Sequence, residues 1–245
     1  MDKTSISGIT NVGKKRKNNE DAYYIDDVNN VFIVADGMGG HNAGEVASAK
    51  SIEFIKFALD SFALQEMKQN PTKIENSLKQ ILSDVNENIY ELGNNNPDYH
   101  SMGCTIVLTY IENNYLHKFH VGDSRCYVCR NNKIEQLGDD HSYVGAAIKM
   151  GYMTKEEARK SPEKNKITMA IGTSNNIQPD YKKYELQKDD IIMLCSDGLW
   201  DMLSDEDILK IINTNKSAQE MSEELISEAN NAGGVDNITV IVIKN

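Results

Sequence analysis

The sequence predicts an α+β protein in which antiparallel sheets are covered on their outer sides by pairs of helices. Two turn dipeptides, Asn113-Asn114 and Asn131-Asn132, each separate two strand-like runs, which is typical of hairpins. Helical periodicity is confined to two segments before Gly93 and two after Leu203, so strands and helices do not alternate as in a βαβ fold. No repeat and no low-complexity linker interrupts the chain, and we expect a single domain over residues 1–245.

The first half of the chain predicts one buried strand and two long helices. Val31–Ala35 is an apolar run with strand composition. The apolar spacing becomes helical from Ala43 to Phe62. Pro71 suits the first turn of a second helix, whose apolar stripe runs from Ile74 to Leu92, and Gly93 is its expected C-cap.

The second half predicts mostly strands, then two helices and a last strand. The helices are expected at about Asp205–Asn213 and Ser217–Asn230. The polar segment from Ser142 to Ser161 is expected to form short helices on the surface. The predicted strands are Thr105–Ile111, Tyr115–Val121, Arg125–Arg130, Lys133–Leu137, Tyr181–Leu186, Ile191–Cys195 and Asn237–Ile243.

The charge of the chain excludes several classes of partner. The 26 Lys and Arg against 37 Asp and Glu give a net charge of −11, which argues against binding to nucleic acid or to an anionic membrane. The N-terminus lacks the apolar core of a signal peptide, and no run approaches the ~20 apolar residues of a membrane helix. We expect a cytoplasmic monomer with neither nucleic acid nor membrane as a partner.

Two segments share one pattern, an apolar run that ends on an aspartate and a glycine. Asp36-Gly37 follows the first predicted strand, and Asp197-Gly198 follows a later one. A carboxylate at the end of a buried strand is costly unless it is paired, and neighbouring carboxylates repel unless a cation lies between them. Four further acids lie at segment ends, and Asp123 and Asp236 also lie beside glycines: Glu20, Asp21, Asp123 and Asp236. This set of oxygen ligands predicts hard cations, Mn²⁺ or Mg²⁺, rather than zinc.

Two other interpretations of short motifs are weaker. The glycine-rich run from Asp36 to Gly44 could be a dinucleotide loop, but G-x-G-x-x-G fails because Asn42 stands at the required glycine, and no P-loop GK[ST] is present. Cys126 and Cys129 have redox or zinc spacing, but residues three apart in a strand face opposite sides. The cysteines are therefore expected to be small buried hydrophobic residues.

The motifs together resemble those of the type 2C metal-dependent serine/threonine protein phosphatases, in their bacterial form. They occur in family order over nearly the whole chain: R-x-x-N-E-D (16–21), V-A-D-G-M-G-G-H (34–41), G-C-T (103–105), V-G-D-S-R (121–125), D-D-H-S (139–142), S-D-G-L-W-D (196–201) and G-G-V-D-N-I-T (233–239). The resemblance implies a four-layer α-β-β-α sandwich with metals at one end between two antiparallel sheets. It implies hydrolysis of phosphoserine and phosphothreonine on proteins, opposing a Ser/Thr kinase.

The same resemblance implies a role for each candidate residue. Asp36 would bridge two metals, and the Gly37 carbonyl would ligate one of them. Asp197 and Asp236 would complete the other metal, and Asp123 with Asp197 resembles a third metal site. Glu20 and Asp21 would hold metal-bound waters or support the directly coordinating ligands from behind. Arg16 would bind the substrate phosphate.

Phosphomonoester hydrolysis explains why carboxylates outnumber nucleophiles here. Two metals ~3.5–4 Å apart lower the pKa of a bridging water and stabilise the in-line displacement. Arg16 offers a planar fork for bidentate contact with phosphate. By itself, the basic run at residues 14–17 would be a solvated or nucleic-acid-binding patch, whereas the N-N-E-D that follows it favours the phosphate role.

The chain departs from the family pattern at two positions. Met38 stands where some relatives carry a histidine that serves as general acid, so we assign no protein general acid and leave the proton to a metal-bound water. Met169 stands where bacterial relatives often have arginine, within a segment, residues 142–170, that matches the family's variable flap. His141 is interpreted as a local hydrogen-bonding residue.

Two other functions are less consistent with the sequence. A module that binds phosphoproteins without turnover is not favoured by any residue, since every candidate ligand is an acid. A metal-dependent nuclease is disfavoured by the net charge and by the lack of an aromatic and basic groove.

Overall fold

Two antiparallel sheets of five strands form the centre of the fold. The computed structural model describes residues 5–39 and 43–244. The strands are β1 (Ser5–Asn11), β2 (Asp21–Asp26), β3 (Val31–Met38), β4 (Gly103–Glu112), β5 (Tyr115–Val121), β6 (Arg125–Arg130), β7 (Lys133–Gln136), β8 (Asp180–Glu185), β9 (Ile191–Cys195) and β10 (Ile238–Lys244). The first sheet has the order β1-β10-β9-β6-β7 and the second β2-β3-β4-β5-β8.

Helices pack on the outer faces of both sheets and in the segment that follows β7. They are α1 (Ala43–Ala58), α2 (Ser61–Gln69), α3 (Ile74–Asn95), α4 (Tyr143–Lys149), α5 (Lys155–Lys160), α6 (Asp197–Trp200), α7 (Asp205–Ile212) and α8 (Ala218–Asn231). Short 3₁₀ turns lie at Pro71–Lys73 and Pro97–Tyr99. Within the described residues, no helix combines the length and the apolar character needed to cross a membrane.

Alternation along β3 shows how the layers are built. Val31, Ile33 and Ala35 pack in a core shared with α1 and α3, whereas Phe32 and Val34 pack in a core between the two sheets. Successive side chains of a strand point to opposite faces, so a continuous apolar run serves both cores.

The same alternation places the second sheet. In β9, Ile192 and Leu194 join the core between the sheets, whereas Met193 and Cys195 pack in a third core with α7 and α8. The four-layer α-β-β-α sandwich is therefore confirmed.

Both predicted hairpins are present. Asn113 and Asn114 have φ of 50° and 63°, and Asn131 and Asn132 have φ of 51° and 59°. Two consecutive residues with positive φ match the twist of the flanking strands, and asparagine tolerates this conformation.

Two helix boundaries were predicted wrongly. The helix expected from Ala43 to Phe62 is two helices, because Asp60 caps the start of α2 by accepting a hydrogen bond from the Ala63 N–H at 2.8 Å. Gly93 lies within α3 and is not its C-cap. A Cβ there would lie 3.2 Å from the Tyr99 carbonyl oxygen, so this glycine permits close packing. Strands β1 and β2 and the helical turn α6 were not predicted.

The cysteines are buried and free, as expected. Cys126 packs in the core between the sheets, and Cys129 packs in the core beneath α7 and α8. The two therefore face opposite sides of β6, a geometry that suits neither a disulfide nor a shared metal.

Residues 142–170 are called the flap below, and the two ends of this segment pair with each other. Ser142 forms a β-bridge with Ile167, and the Thr168 N–H donates to the His141 carbonyl oxygen at 2.8 Å. Between these ends lie α4 and α5. Met169 packs against the core that contains α1 and α3, so this position anchors the end of the flap by apolar contact.

Candidate metal centre

Two of the candidate aspartates meet across a pair of strands. Asp21 opens β2 and is the register partner of Asp36 in β3. On its other side, Asp36 is the register partner of Thr105 in β4. The charges of Asp21 and Asp197 both raise the pKa of the Asp36 carboxyl, so the three groups lie close together. Asp36 therefore lies on the middle of three neighbouring strands, between β2 and β4.

The other sheet supplies Asp197 and Asp236 from adjacent segments. Asp197 begins α6 directly after β9, and Asp236 precedes β10, the neighbour of β9. Gly198 allows these segments to meet, since a Cβ there would lie 1.9 Å from the Asn237 carbonyl oxygen. The two sheets thus bring their acids to one end of the sandwich.

Asp123 joins the cluster from the turn after β5. Gly122 has a φ of 101°, in the region that favours glycine, and a Cβ there would lie 2.6 Å from the Thr105 Cβ. The Asp123 carbonyl accepts a hydrogen bond from the Trp200 indole N–H at 3.0 Å. Burial and the Asp140 charge raise the pKa of the Asp123 carboxyl to about 7.

The carboxyls perturb one another strongly. Burial raises the pKa of Asp36 well above its ordinary value, and the charges of Asp21, Asp197, Asp123 and Asp236 raise it further. The pKa of Asp197 is also raised well above the ordinary value, by burial and then by the charges of Asp123, Asp236 and Asp21. Such mutual repulsion is relieved only by protons or by cations.

Three buried carboxylate oxygens of the cluster are available to coordinate a cation. Among the described residues, no hydrogen-bond partner reaches the buried atoms Asp21 Oδ1, Asp123 Oδ1 and Asp197 Oδ1. Buried polar atoms without a partner are rare and costly. Carboxylate oxygens that are buried, unpartnered and mutually repelling fit hard divalent cations. The residues present therefore suit the metals that the sequence predicts.

Asp21 is held by hydroxyl groups that sequence analysis missed. Ser196 Oγ and Thr239 Oγ1 both donate to Asp21 Oδ2, each at 2.7 Å. Thr239 Oγ1 in turn accepts from Thr10 Oγ1 at 2.7 Å, and Thr10 accepts from the Asn19 amide at 2.8 Å. Each donor in this series of hydrogen bonds donates in the direction of Asp21. Asp21 Oδ2 is therefore fixed as an acceptor, and Asp21 Oδ1 remains available to a cation at the carboxylate cluster.

Glu20 is clamped by its backbone beside Asp21. Its carbonyl accepts from the Gly37 N–H at 3.1 Å and from Ser48 Oγ at 2.6 Å, and its N–H donates to Asn237 Oδ1 at 2.8 Å. A Cβ on Gly44 would lie 2.7 Å from Glu20 Oε2. Gly37 and Gly44 thus admit the Glu20 segment.

Arg16 is exposed at the edge of the cluster. Its Nη2 donates to Asp236 Oδ2 at 2.7 Å, with 52% of its side chain accessible. This hydrogen bond to Asp236 raises the pKa of the guanidinium. Arg16 is therefore charged, reachable from solvent and adjacent to the candidate ligands.

His141 and Met169, neither of which has a catalytic assignment, both make local hydrogen bonds. His141 makes the expected local contacts, since its N–H donates to the Gly122 carbonyl at 2.9 Å and its Nδ1 accepts from the Gly122 N–H at 3.3 Å. Met169 Sδ accepts from the Gln178 N–H at 3.4 Å. The part of the glycine-rich motif at residues 40–42, with His41, lies outside the described residues.

A second group of metal-ligating side chains does not favour a metal. The ligand atoms of His120, His141 and Asp180 lie within 4.8 Å of one another. However, the Lys118 ammonium contacts His120 Nδ1, while His120 Nε2 donates to the Asp139 carbonyl at 2.8 Å. Burial and the Lys118 charge lower the pKa of His120. A positive charge already occupies the place that a cation would take.

Comparison with known proteins identifies a family and several relatives of this chain. The family model "Protein phosphatase 2C" matches residues 12–232. The chain is 37% identical over 242 residues to protein phosphatase PhpP of Streptococcus pneumoniae, covering 97% of this chain and 96% of that protein. It is 33% identical over 238 residues to serine/threonine phosphatase stp of Listeria welshimeri, covering 96% and 93%.

Solved structures give the same result. The S. agalactiae serine/threonine phosphatase superposes with a TM-score of 0.89 at 36% identity and covers 99% of both chains. The catalytic domain of the serine/threonine protein phosphatase PstP, in complex with two manganese ions, has a TM-score of 0.83 at 31% identity, covering 98% of this chain and 97% of that one.

Proposed function

The chain belongs to the protein phosphatase 2C family and is a metal-dependent serine/threonine protein phosphatase, and we propose that its reaction takes place at the carboxylate cluster around Asp36. The observation that carries this proposal is the convergence of acids from both sheets, with three buried carboxylate oxygens that no described residue satisfies. The proximity of Asp36 to the charges of Asp21 and Asp197 supports its role as the bridging ligand.

The proposed occupants are two Mn²⁺ or Mg²⁺ ions, with a third at Asp123 and Asp197. The charge of Asp123 acts strongly on Asp197, which supports a shared site. Asp197 and Asp236 would hold the second ion, and the Gly37 carbonyl would ligate the first. Glu20 and Asp21 would position water molecules around the ions.

Bound ions supply an activated water and neutralise the charge of the phosphate oxygens. The chain itself orients the ligands: Ser196 and Thr239 hold Asp21, and the Asn237 amide and Gly37 N–H hold the Glu20 backbone. Arg16, exposed and charged, would donate to the substrate phosphate. Met38, at the end of β3, cannot donate a proton, so we assign no protein general acid.

The test compares turnover of p-nitrophenyl phosphate and of a phosphothreonine peptide with Mn²⁺, with and without chelator. We expect metal-dependent release of phosphate from both. Asp36→Asn and Asp197→Asn should each abolish turnover while circular dichroism and thermal melting show a folded protein. Near-full activity in either variant would overturn the metal assignment.

The proposed cellular role is to oppose a Ser/Thr kinase by acting on its phosphorylated substrates. Phosphoproteomics of a strain without the gene, against its parent, tests this role. We expect phosphoserine and phosphothreonine sites to increase, and an unchanged set of sites would count against it.

A further inference from the structure

A cavity of about 410 Å³ lies between the flap and the segment that begins α7. Helices α4 and α5 of the flap form one side, and residues 200–206 form the other. Its volume lies within the range of ligand-binding pockets. None of the catalytic roles proposed above uses this space.

Part of the wall is apolar and rigid. Val144, Ile148, Ala158 and Trp200 contribute apolar surface. The Arg125 guanidinium stacks 3.6 Å from the Trp200 ring centroid and makes hydrogen bonds to both oxygens of Asp140, at 2.6 to 3.2 Å. Arg125 is therefore fixed as part of the wall and is not available to a ligand.

The cations of the lining are all engaged. Lys164 pairs with Asp201 at 2.7 Å, and Lys155 pairs with Asp205 at 3.0 Å. Arg159 donates to the carbonyl oxygens of Leu203 and Asp201 at 3.2 and 3.1 Å. An anionic ligand would have to break one of these contacts.

The carboxylates outnumber the cations. Six line the cavity (Asp139, Asp140, Glu156, Asp201, Asp205 and Glu206) against four cationic side chains. Glu156, on α5, and Glu206, in the first turn of α7, form no ion pair with any residue that the structure describes. Both are exposed, and they approach the cavity from opposite sides. The cavity thus combines apolar walls with two unpaired negative charges.

We propose that the flap cavity binds an arginine or lysine side chain of the phosphoprotein substrate. The methylene groups of such a side chain would pack on the apolar wall while its charged end meets Glu156 and Glu206. The cavity adjoins the metal centre, because the Trp200 ring that lines it also donates to the Asp123 carbonyl at 3.0 Å. This inference rests on the proposed function and specifies the substrate class.

The test uses a series of phosphothreonine peptides in which one arginine is moved along the sequence and compared with citrulline, its neutral analogue. With Mn²⁺ present, we expect arginine at one or more positions to raise kcat/KM about fivefold, which corresponds to about 1 kcal/mol. The double variant Glu156→Gln/Glu206→Gln should lose this preference and keep wild-type turnover of p-nitrophenyl phosphate. A matched control, Glu87→Gln/Glu91→Gln, removes two exposed charges from α3 and should keep the preference.

Binding of fluorescent peptides, measured by anisotropy, separates this inference from the proposed function because it needs no turnover. Tighter binding of the arginine peptide that only the Glu156/Glu206 variant loses supports the cavity, even if no peptide is hydrolysed. Equal binding and turnover of arginine and citrulline peptides at every position, or an arginine preference that survives in the double variant, would overturn it.

Discussion

The substitution Thr239→Val tests whether the hydroxyl chain at Asp21 prepares the metal centre. Valine has nearly the shape of threonine, so the change removes one hydroxyl and leaves no cavity. Thr239 is fully buried, and its Oγ1 is one of two donors to Asp21 Oδ2, at 2.7 Å. A hydrogen bond to a charged group contributes about 1.5–3 kcal/mol. Thr10 also loses its acceptor in the variant.

We expect the free energy of unfolding to fall by about 2–3 kcal/mol, which lowers Tm by about 4–12 °C in a chain of this size. Mn²⁺ affinity should fall as well. Burial already raises the pKa of Asp21 to about 6, and Thr239 opposes that rise. Without this donor the carboxylate form is less favoured, so protons compete better with the metal. Isothermal titration calorimetry at neutral pH should show Mn²⁺ binding about 5–10-fold weaker, equivalent to about 1–1.4 kcal/mol.

Thr109→Val is the matched control. Thr109 is a fully buried threonine in β4, and its Oγ1 finds no partner among the described residues. Removing an unsatisfied hydroxyl should leave stability unchanged or raise it by about 1 kcal/mol. The reasoning is refuted if Thr239→Val and Thr109→Val have the same Tm and both bind Mn²⁺ like the parent protein.

Two further predictions concern charge. In the presence of chelator, the free energy of unfolding should fall as pH rises from about 4 to about 7. Folding raises the carboxyl pKa of Asp21 to about 6 and of Asp123 to about 7. In this range the folded state therefore holds protons that the unfolded state releases. Thermal melts across this range should show the loss, which Mn²⁺ should reverse; a flat Tm in chelator would contradict it. Arg16→Ala should raise KM for the phosphothreonine peptide about tenfold and Arg16→Lys should raise it less, because lysine lacks the bidentate fork. Steady-state kinetics with KM and kcat both unchanged would remove the phosphate role of Arg16.

The sequence predicted the layers well because the apolar runs are long and the turns have distinct chemistry. Val31–Ala35 and Ile191–Cys195 are buried on both faces, and a paired Asn-Asn turn leaves few alternatives to a hairpin. Strand β2, with the sequence DAYYID, lacks such a run and is defined by its pairing with β3. Its register was therefore not predictable, and neither was the contact between Asp21 and Asp36.

The candidate acids were identifiable from their positions, but their supporting residues were not. Ser196 and Thr239 hold Asp21 from more than 170 positions away along the chain. Such contacts depend on how the two sheets face each other, which local patterns do not encode. The flap cavity depends in the same way on contacts of Lys155, Arg159 and Lys164 with residues 201–205.

The two Asp-Gly pairs owe their similarity to one steric requirement. A Cβ on Gly37 would lie 2.1 Å from the Gly44 carbonyl oxygen and 2.6 Å from that of Glu20, and a Cβ on Gly198 would lie 1.9 Å from the Asn237 carbonyl oxygen. In each case the glycine lets a neighbouring backbone lie against the segment that carries the aspartate. That backbone carries a further acid: the Glu20-Asp21 segment beside Asp36, and Asp236 beside Asp197. The glycine after each aspartate therefore makes possible the crowding of carboxylates on which the proposed metal binding depends.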